Sequence, residues 1–150
     1  MSLDLVVWLS CTVTLAQDLP HQAEWSYSKI SAESMPRLPK ELIAQFEGHE
    51  SWQVDRDKYL IRASRADRED GLATEPSQTQ GVPNAKRQAQ LANKVRDSKV
   101  GVSLVLEGSY DAGYPEQAAV ATHLARKCGG AVVEGPAGYY EIDVHGKWKP

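Results

Sequence analysis

The chain has 150 residues, of which 41% are hydrophobic and 25% charged, and its formal net charge is −3. This length and composition are those of an ordinary globular domain, and they exclude a disordered chain, a collagen-like repeat and a coiled coil. The near balance of 17 basic and 20 acidic residues argues against a protein that coats nucleic acid. We therefore expect one domain that spans residues 1–150.

The first part of the chain contains short runs that are typical of β-strands. Leu3 to Leu9 is rich in β-branched and aromatic residues, which predicts a strand buried on at least one face. Residues 23–28 indicate extended chain. A short helix is predicted over Lys40 to Glu47, because its apolar residues form one stripe. The runs at 52–54 and 59–61 flank a charged turn and predict a β-hairpin.

The character of the sequence changes after this hairpin. Residues 64–83 are first charged and then polar and turn-forming, which predicts a long or mobile loop. Asn84 is a suitable cap for a helix that continues to about Asp97. Residues 64–83 are too few and too weakly flanked to link two full domains, so we expect the second half of the chain to belong to the same domain.

The clearest unit follows from residue 100. Val100 to Leu106 predicts a strand, and a turn-rich loop leads to a helix from Pro115 to Cys128, with the proline at its first position. Gly129 and Gly130 end that helix. Two further strand pieces, at 131–133 and 139–142, complete the pattern.

These elements predict an α+β fold. We expect a two-layer sandwich, in which helices cover one face of a mainly antiparallel sheet. A ferredoxin-like topology is the arrangement that we favour.

No feature of the sequence predicts insertion into a membrane or export. Leu3 to Ala16 is the only long apolar stretch, and it is shorter than the roughly 20 residues that span a bilayer. The first basic residue is Lys29, whereas a secretory signal begins with a basic segment. Cys11 and Cys128 are far apart in apolar settings, so we expect two reduced core residues. Together these observations predict a cytoplasmic protein, unless a native leader has been removed.

Motifs for metal, phosphate or nucleophilic chemistry are missing from the sequence. The histidines and cysteines lack the short spacings of a zinc site. No Gly-rich phosphate loop and no Gly-x-Ser-x-Gly motif is present. Cys128 ends a predicted helix, where the helix dipole raises rather than lowers the pKa of a thiol. We therefore expect no metal, no cofactor and no catalytic cysteine.

The loop after the Val100–Leu106 strand is the one place that suggests an enzyme or a small-ligand site. Glu107 and Asp111 could perform acid–base work there, with Tyr110 and His123 nearby. A solvated, turn-forming loop explains the same residues, and we give that interpretation more weight.

Aromatic and acidic residues point instead to a protein partner. The chain has four Trp and six Tyr but one Phe, and Tyr and Trp are favoured at interfaces. Residues 1–57 carry a net charge of −5 and residues 58–150 a net charge of +2. An acidic half would attract a basic partner, although solubility alone explains it equally well. The predicted partner-binding residues are Glu33, Glu41, Glu47, Glu50, Asp55, Asp57, Tyr110 and Tyr114.

The sequence thus predicts a non-catalytic protein-binding module. One concrete form is a bacterial immunity or inhibitor protein that covers the basic active cleft of a nuclease-like toxin. A small enzyme or ligand-binding protein that uses the loop after the Val100–Leu106 strand is one alternative. A structural subunit that forms homo-oligomers through its sheet is another.

Overall fold

The computed structural model describes residues 2–20, 25–29, 50–66 and 85–149, together with residues 31, 33, 40, 41 and 44. The eight strands of this part form one antiparallel sheet with the order β2-β3-β4-β5-β1-β6-β7-β8. The strands are β1 (Ser2–Leu9), β2 (Ser26–Lys29), β3 (Glu50–Asp55), β4 (Tyr59–Ala66), β5 (Val100–Gly108), β6 (Ala131–Gly135), β7 (Gly138–Ile142) and β8 (Trp148–Lys149). The helices bounded in the described residues are α1 (Leu15–Asp18), α2 (Ala85–Arg96) and α3 (Tyr110–Lys127).

β1 lies in the middle of the sheet because its side chains are apolar on both faces. Leu5, Val7 and Leu9 are buried on one face, and Trp8 is buried on the other. β5 pairs with β1 along its whole length, and β6 pairs with its other edge. The predicted strand is confirmed, and it is one of the two central strands of the sheet.

The two long helices cover opposite faces of this sheet. α3 packs Val120, Ala121, Leu124 and Ala125 into the same cluster as the odd-numbered residues of β1. α2 packs its apolar side chains against the residues of the other face, which are Trp8, Val132 and Tyr139. The α+β class with an antiparallel sheet is confirmed. The prediction that the helices lie on one face is wrong, because one helical layer would leave Trp8 and Tyr139 uncovered.

The favoured ferredoxin-like topology is not confirmed. β5 and β6 are both antiparallel to β1, which lies between them, so β5, α3 and β6 form one split β-α-β unit. Hairpin connections extend the sheet on both sides of this unit, through β3 and β4 on one side and β7 and β8 on the other. The result is a sheet of eight strands, which is larger than a ferredoxin-like domain needs.

Several boundaries differ from the predicted ones. α3 begins at Tyr110 instead of Pro115, because the Ser109 hydroxyl accepts the N–H of Ala112 at 3.3 Å and caps the helix earlier. β4 continues to Ala66, so the loop predicted from residue 64 does not begin there, and its remainder lies outside the described residues. None of the helices in the described part is both long and apolar enough to cross a bilayer.

The helix predicted over Lys40 to Glu47 is described only in part. Lys40, Glu41 and Ala44 have helical backbone, and its other residues lie outside the described part. The α2 prediction is confirmed, with Leu91, Ala92 and Val95 buried, although its predicted cap, Asn84, lies outside the described residues. The short elements α1 and β8 were not predicted.

Cys11 and Cys128 form a disulfide, so the prediction of two reduced core residues is wrong. Their Cα atoms are 5.3 Å apart, a separation typical of disulfides. The bond joins the segment after β1 to the residue that caps the C-terminus of α3. The pairing has no local signal in the sequence, because the two residues come together only through the path of α3 across the sheet.

Gln88 of α2 closes the free edge of β7. Its Oε1 accepts the backbone N–H of Tyr139 at 2.7 Å, and its Nε2 donates to the carbonyl of Tyr139 at 2.9 Å. The side-chain amide thus replaces a neighbouring strand at this position. Arg87 and Lys94, on the same helix, both bind the carboxylate of Glu141. Edge strands that are covered in this way are protected from pairing with other chains.

Removing the disulfide should destabilise the protein strongly. The bond closes a loop with a sequence separation of 117, and a loop of that size restricts the unfolded chain by about 4–5 kcal/mol. The double variant Cys11→Ser/Cys128→Ser should therefore lose about that much free energy of unfolding in urea titrations. Wild-type protein in excess reductant should match the variant. A native protein with two titratable thiols and no response to reductant would contradict the assignment.

Gln88→Ala should lower the free energy of unfolding by about 2–3 kcal/mol, because it leaves two buried backbone groups of Tyr139 without their partner. Gln90→Ala is the matched control, since Gln90 is exposed on the same helix. The control should change stability by less than about 0.5 kcal/mol. Equal effects of the two substitutions would show that the edge contact contributes nothing specific.

Candidate functional site

A groove of about 470 Å³ lies between α3 and the edge strands β7 and β8. We call it the aromatic groove, and its lining residues are Tyr114, Ala118, Tyr140, Trp148 and Lys149. Tyr140 lies on the sheet face that α3 covers, because it pairs with buried Val133. Trp148 lies on the same face, opposite Ile142. Ala118 follows Tyr114 by one helical turn, and its small side chain leaves room between the helix and the strands.

Two stacked tyrosines form one end of the aromatic groove. The rings of Tyr110 and Tyr114 have centroids 5.2 Å apart and are inclined by 24°. Tyr110 is 49% exposed and Tyr140 is 36% exposed, which is unusual for large side chains in this fold. Burial raises the pKa of Tyr114, and the neighbouring phenols of Tyr110 and Tyr140 raise it further. The hydroxyl of Tyr114 therefore stays protonated at neutral pH and is able to donate a hydrogen bond.

The other end of the aromatic groove is held by hydrogen bonds. The indole N–H of Trp148 donates to Oγ1 of Thr122 at 2.8 Å, and this hydroxyl donates to the carbonyl of Ala118 at 2.9 Å. Lys149 binds Asp143 at 3.4 Å. These bonds fix the indole ring, which therefore presents a rigid aromatic surface.

Acidic side chains gather at the end of the sheet where α3 begins. The backbone N–H of Ser109 donates to the carbonyl of Lys58 at 3.0 Å, which places the β3–β4 turn beside the start of α3. Asp57 precedes Lys58, and Tyr110 follows Ser109. We call this surface the acidic end, and its residues are Asp55, Asp57 and Asp111, all exposed.

A charged cluster fixes the start of α3 to the same turn. The carboxylate of Glu116 accepts Nε and Nη2 of Arg56 at 3.1 and 3.0 Å, and the hydroxyl of Tyr59 at 2.8 Å. These bonds hold the pKa of Glu116 below its usual value, chiefly because Arg56 stabilises the ionised form. Gly113 permits the close approach, since a Cβ there would collide with Leu106 and Tyr59.

The structure divides the predicted partner-binding residues between two places. Tyr110 and Tyr114 lie together in the stack at the start of α3, and Asp57 lies in the β3–β4 turn beside it. Asp55 is at the same end of the sheet, but it pairs with Leu60 and therefore lies on the face that α2 covers. Glu50 lies at the other end of β3, about 17 Å from Asp55, on the opposite face of the sheet, where it accepts the hydroxyl of Tyr27 at 3.2 Å. Of the remaining predicted residues, Glu33 and Glu41 are exposed and Glu47 lies outside the described residues. The described residues therefore do not form one continuous acidic patch.

The four residues of the alternative enzyme site are not brought together. Glu107, the last residue but one of β5, binds Arg62 at 3.3 Å, on the sheet face that α2 covers. Asp111 and His123 are both on α3, but they are twelve positions apart, which corresponds to about 18 Å along the axis. Among the described residues, no group of three or more His, Cys, Asp or Glu side chains is placed to hold a metal ion.

The sequence indicated two of the four aromatic residues at the aromatic groove. Tyr110 and Tyr114 were predicted as interface residues, although in a loop, whereas Tyr140 and Trp148 were not. The signal in the sequence was the spacing of Tyr110, Tyr114 and Ala118, which are four residues apart and so share one helix face. Only the strand pairing brings Tyr140 and Trp148 to that face.

Comparison with known proteins adds no relative. A scan against family models found no match, and neither a search of curated proteins nor a search of solved structures returned a similar protein.

Glu116→Gln should lower Tm by about 3–6 °C at pH 7, because the neutral amide loses the charge-assisted bonds to Arg56 and Tyr59. The native pKa of Glu116 lies below its unfolded value of about 4.3. Its stabilising contribution is therefore present above that pH and is lost as the pH falls through the lower native pKa. Thermal unfolding from neutral to acidic pH should show the difference between variant and wild type shrinking.

Glu107→Gln is the control for this measurement, since the carboxylate of Glu107 is 45% exposed in its ion pair with Arg62. It should shift Tm by no more than about 2 °C. A Glu116→Gln effect that did not depend on pH, or one no larger than the control's, would contradict the role assigned to the cluster.

Proposed function

We propose that this protein is a non-catalytic binding module that holds a basic, extended segment of a partner protein along the acidic end and the aromatic groove. The observation that carries the proposal is the Tyr110–Tyr114 stack, in which Tyr110 is 49% exposed and which lies at the start of α3 beside the β3–β4 turn. A partner segment that crosses the stack would contact carboxylates on one side and aromatic faces on the other.

Aromatic residues account for the affinity in this proposal. Tyr and Trp are enriched among the residues that dominate binding energy at interfaces, because they bury large areas with little loss of conformational entropy. Three tyrosines and Trp148 line or flank the groove, and Trp148 is already fixed by Thr122. A preformed surface of this kind loses little free energy to ordering on binding.

Charge accounts for the choice of partner. The acidic end carries three carboxylates, of Asp55, Asp57 and Asp111, against the exposed ammonium of Lys58, because the guanidinium of Arg56 is neutralised by Glu116. Arg and Lys side chains would pair with these carboxylates and would also stack on the tyrosine faces through cation–π contacts. Carboxylates at the rim of an interface raise the association rate of a basic partner.

A bacterial immunity or inhibitor protein remains the concrete form of this function that we propose. The active cleft of a nuclease is basic because it binds phosphates. An inhibitor that offers carboxylates beside an aromatic groove would cover such a cleft by charge complementarity. In this form the protein would block its partner without chemistry of its own.

The disulfide indicates the compartment in which the protein would bind its partner. Disulfides persist in oxidising compartments and are rare in the cytoplasm. The Cys11–Cys128 bond therefore favours an oxidising compartment over the cytoplasm that the sequence predicts. We propose that the protein meets its partner there.

Peptide selection tests the proposed function without a known partner. The groove side of α3 from Tyr110 to Thr122 is about 18 Å long, so displayed random peptides of about eight residues are long enough. Selection on the purified, oxidised protein should enrich peptides with at least two Arg or Lys residues around an apolar residue. The best peptide should bind the double variant Tyr110→Ala/Tyr140→Ala at least tenfold more weakly, a loss of about 1.4 kcal/mol.

Two control variants separate the parts of this surface. Tyr27→Ala removes a tyrosine that is 45% exposed on the far edge strand β2, and it should leave affinity unchanged. Asp57→Lys/Asp111→Lys should weaken binding about tenfold and reduce its salt dependence, whereas Asp97→Lys should not. Enriched peptides without basic residues, or equal losses in Tyr27→Ala, would refute the proposal.

A further inference from the structure

We propose that the protein has a second binding site, for a small uncharged planar molecule with a carbonyl group, in a cleft beside Trp8. The cleft has a volume of about 550 Å³ and lies between the C-terminal end of α2, the ends of β1 and β7 and the start of β6. This volume is within the range of small-molecule sites. It lies at the other end of the sheet from the acidic end and, with Trp8, on the face opposite the aromatic groove, although Lys149 lines both.

Trp8 supplies the polar group at the floor of the cleft. The side chain is only 3% exposed, and its Nε1 is buried with no hydrogen-bond acceptor among the described residues. Buried polar groups in native proteins are nearly always paired, because an unpaired one loses its hydration without compensation. Because no described residue accepts it, this indole N–H is a donor that an acceptor group on a molecule in the cleft would satisfy.

The orientation of the indole directs this N–H towards the cleft. A Cβ on Gly101 of β5 would lie 2.5 Å from Cζ3 and 2.8 Å from Cε3 of Trp8, so that edge of the ring lies against Gly101. Nε1 is on the opposite edge of an indole. It therefore faces away from β5 and towards β6, whose Ala131 and Val132 line the cleft.

The two carboxylates in the walls of the cleft are already paired within the protein and therefore do not offer a site for a cationic group. Glu141 is neutralised by Arg87 and Lys94, and Asp143 binds Lys149. These charges are satisfied within the protein, and the floor is made of Trp8, Val132 and Ala131. A planar molecule would pack on this apolar floor, and its carbonyl oxygen would accept the indole N–H. The exposed Asp97 at the rim would accept an amide N–H from the same molecule.

Benzamide is a suitable probe because it combines a flat ring with an amide. In ¹H–¹⁵N spectra of the labelled wild-type protein, the indole signal of Trp8 is identified by triple-resonance assignment. Millimolar benzamide should move this signal downfield in a saturable way, as expected for a new hydrogen bond. Toluene, which has no carbonyl, should leave the signal in place, and benzoate and benzylammonium should bind more weakly than benzamide.

Two tryptophan variants test whether benzamide binds at Trp8. Trp8→Phe should lower benzamide affinity by about fivefold or more, as measured on the methyl signals of Ala131 and Val132. Trp148→Phe, the same substitution in the aromatic groove, should not change the response of Trp8. If Trp8→Phe fails to fold, the four probes on the wild-type protein decide the question. No shift with benzamide, an equal shift with toluene, or tighter binding of either charged probe would overturn the proposal.

Discussion

α3 is fixed to the rest of the molecule at both ends by residues that are distant in sequence, and the candidate interface depends on this attachment. Near its start, Glu116 binds Arg56 and Tyr59 of the β3–β4 hairpin. At its end, Cys128 is bonded to Cys11. Between them, fully buried Gln117 donates to carbonyls of β1 and β5 at 3.0 Å. A helix held in this way has a fixed position relative to the sheet. Because α3 forms one side of the aromatic groove, the groove is a preformed site.

The parts of the fold that follow from local patterns could be predicted from the sequence. The apolar run of β1, the stripe on α2 and the strand at Val100–Leu106 each carry their own periodicity, and each is confirmed. The two-sided burial of the sheet was not predicted, because Trp8 and Tyr139 reveal their face only once strand pairing is known. The disulfide was missed for a related reason, since the crossover of α3, not any local spacing, brings Cys128 to Cys11.

The candidate site was predictable to a similar degree. Tyr110 and Tyr114 were identified from composition, and the structure places them on a helix, where their four-residue spacing stacks the rings. The net charge of the first 57 residues suggested one acidic face. Strand geometry separates Glu50 from Asp55, because residues five apart in a strand point to opposite faces. What remains is a smaller set of carboxylates at the end of the sheet where α3 begins, near the stacked Tyr110 and Tyr114.

Native-state hydrogen exchange of the oxidised protein tests most directly whether α3 has a fixed position relative to the sheet. The account predicts that the buried amides of α3 from Val120 to Ala125 exchange only through global unfolding, with the same free energy of opening as the central strand β1. Amides in α3 that open at distinctly lower free energy than those of β1 would contradict it. In that case the helix would move independently of the sheet, and the groove would not be preformed.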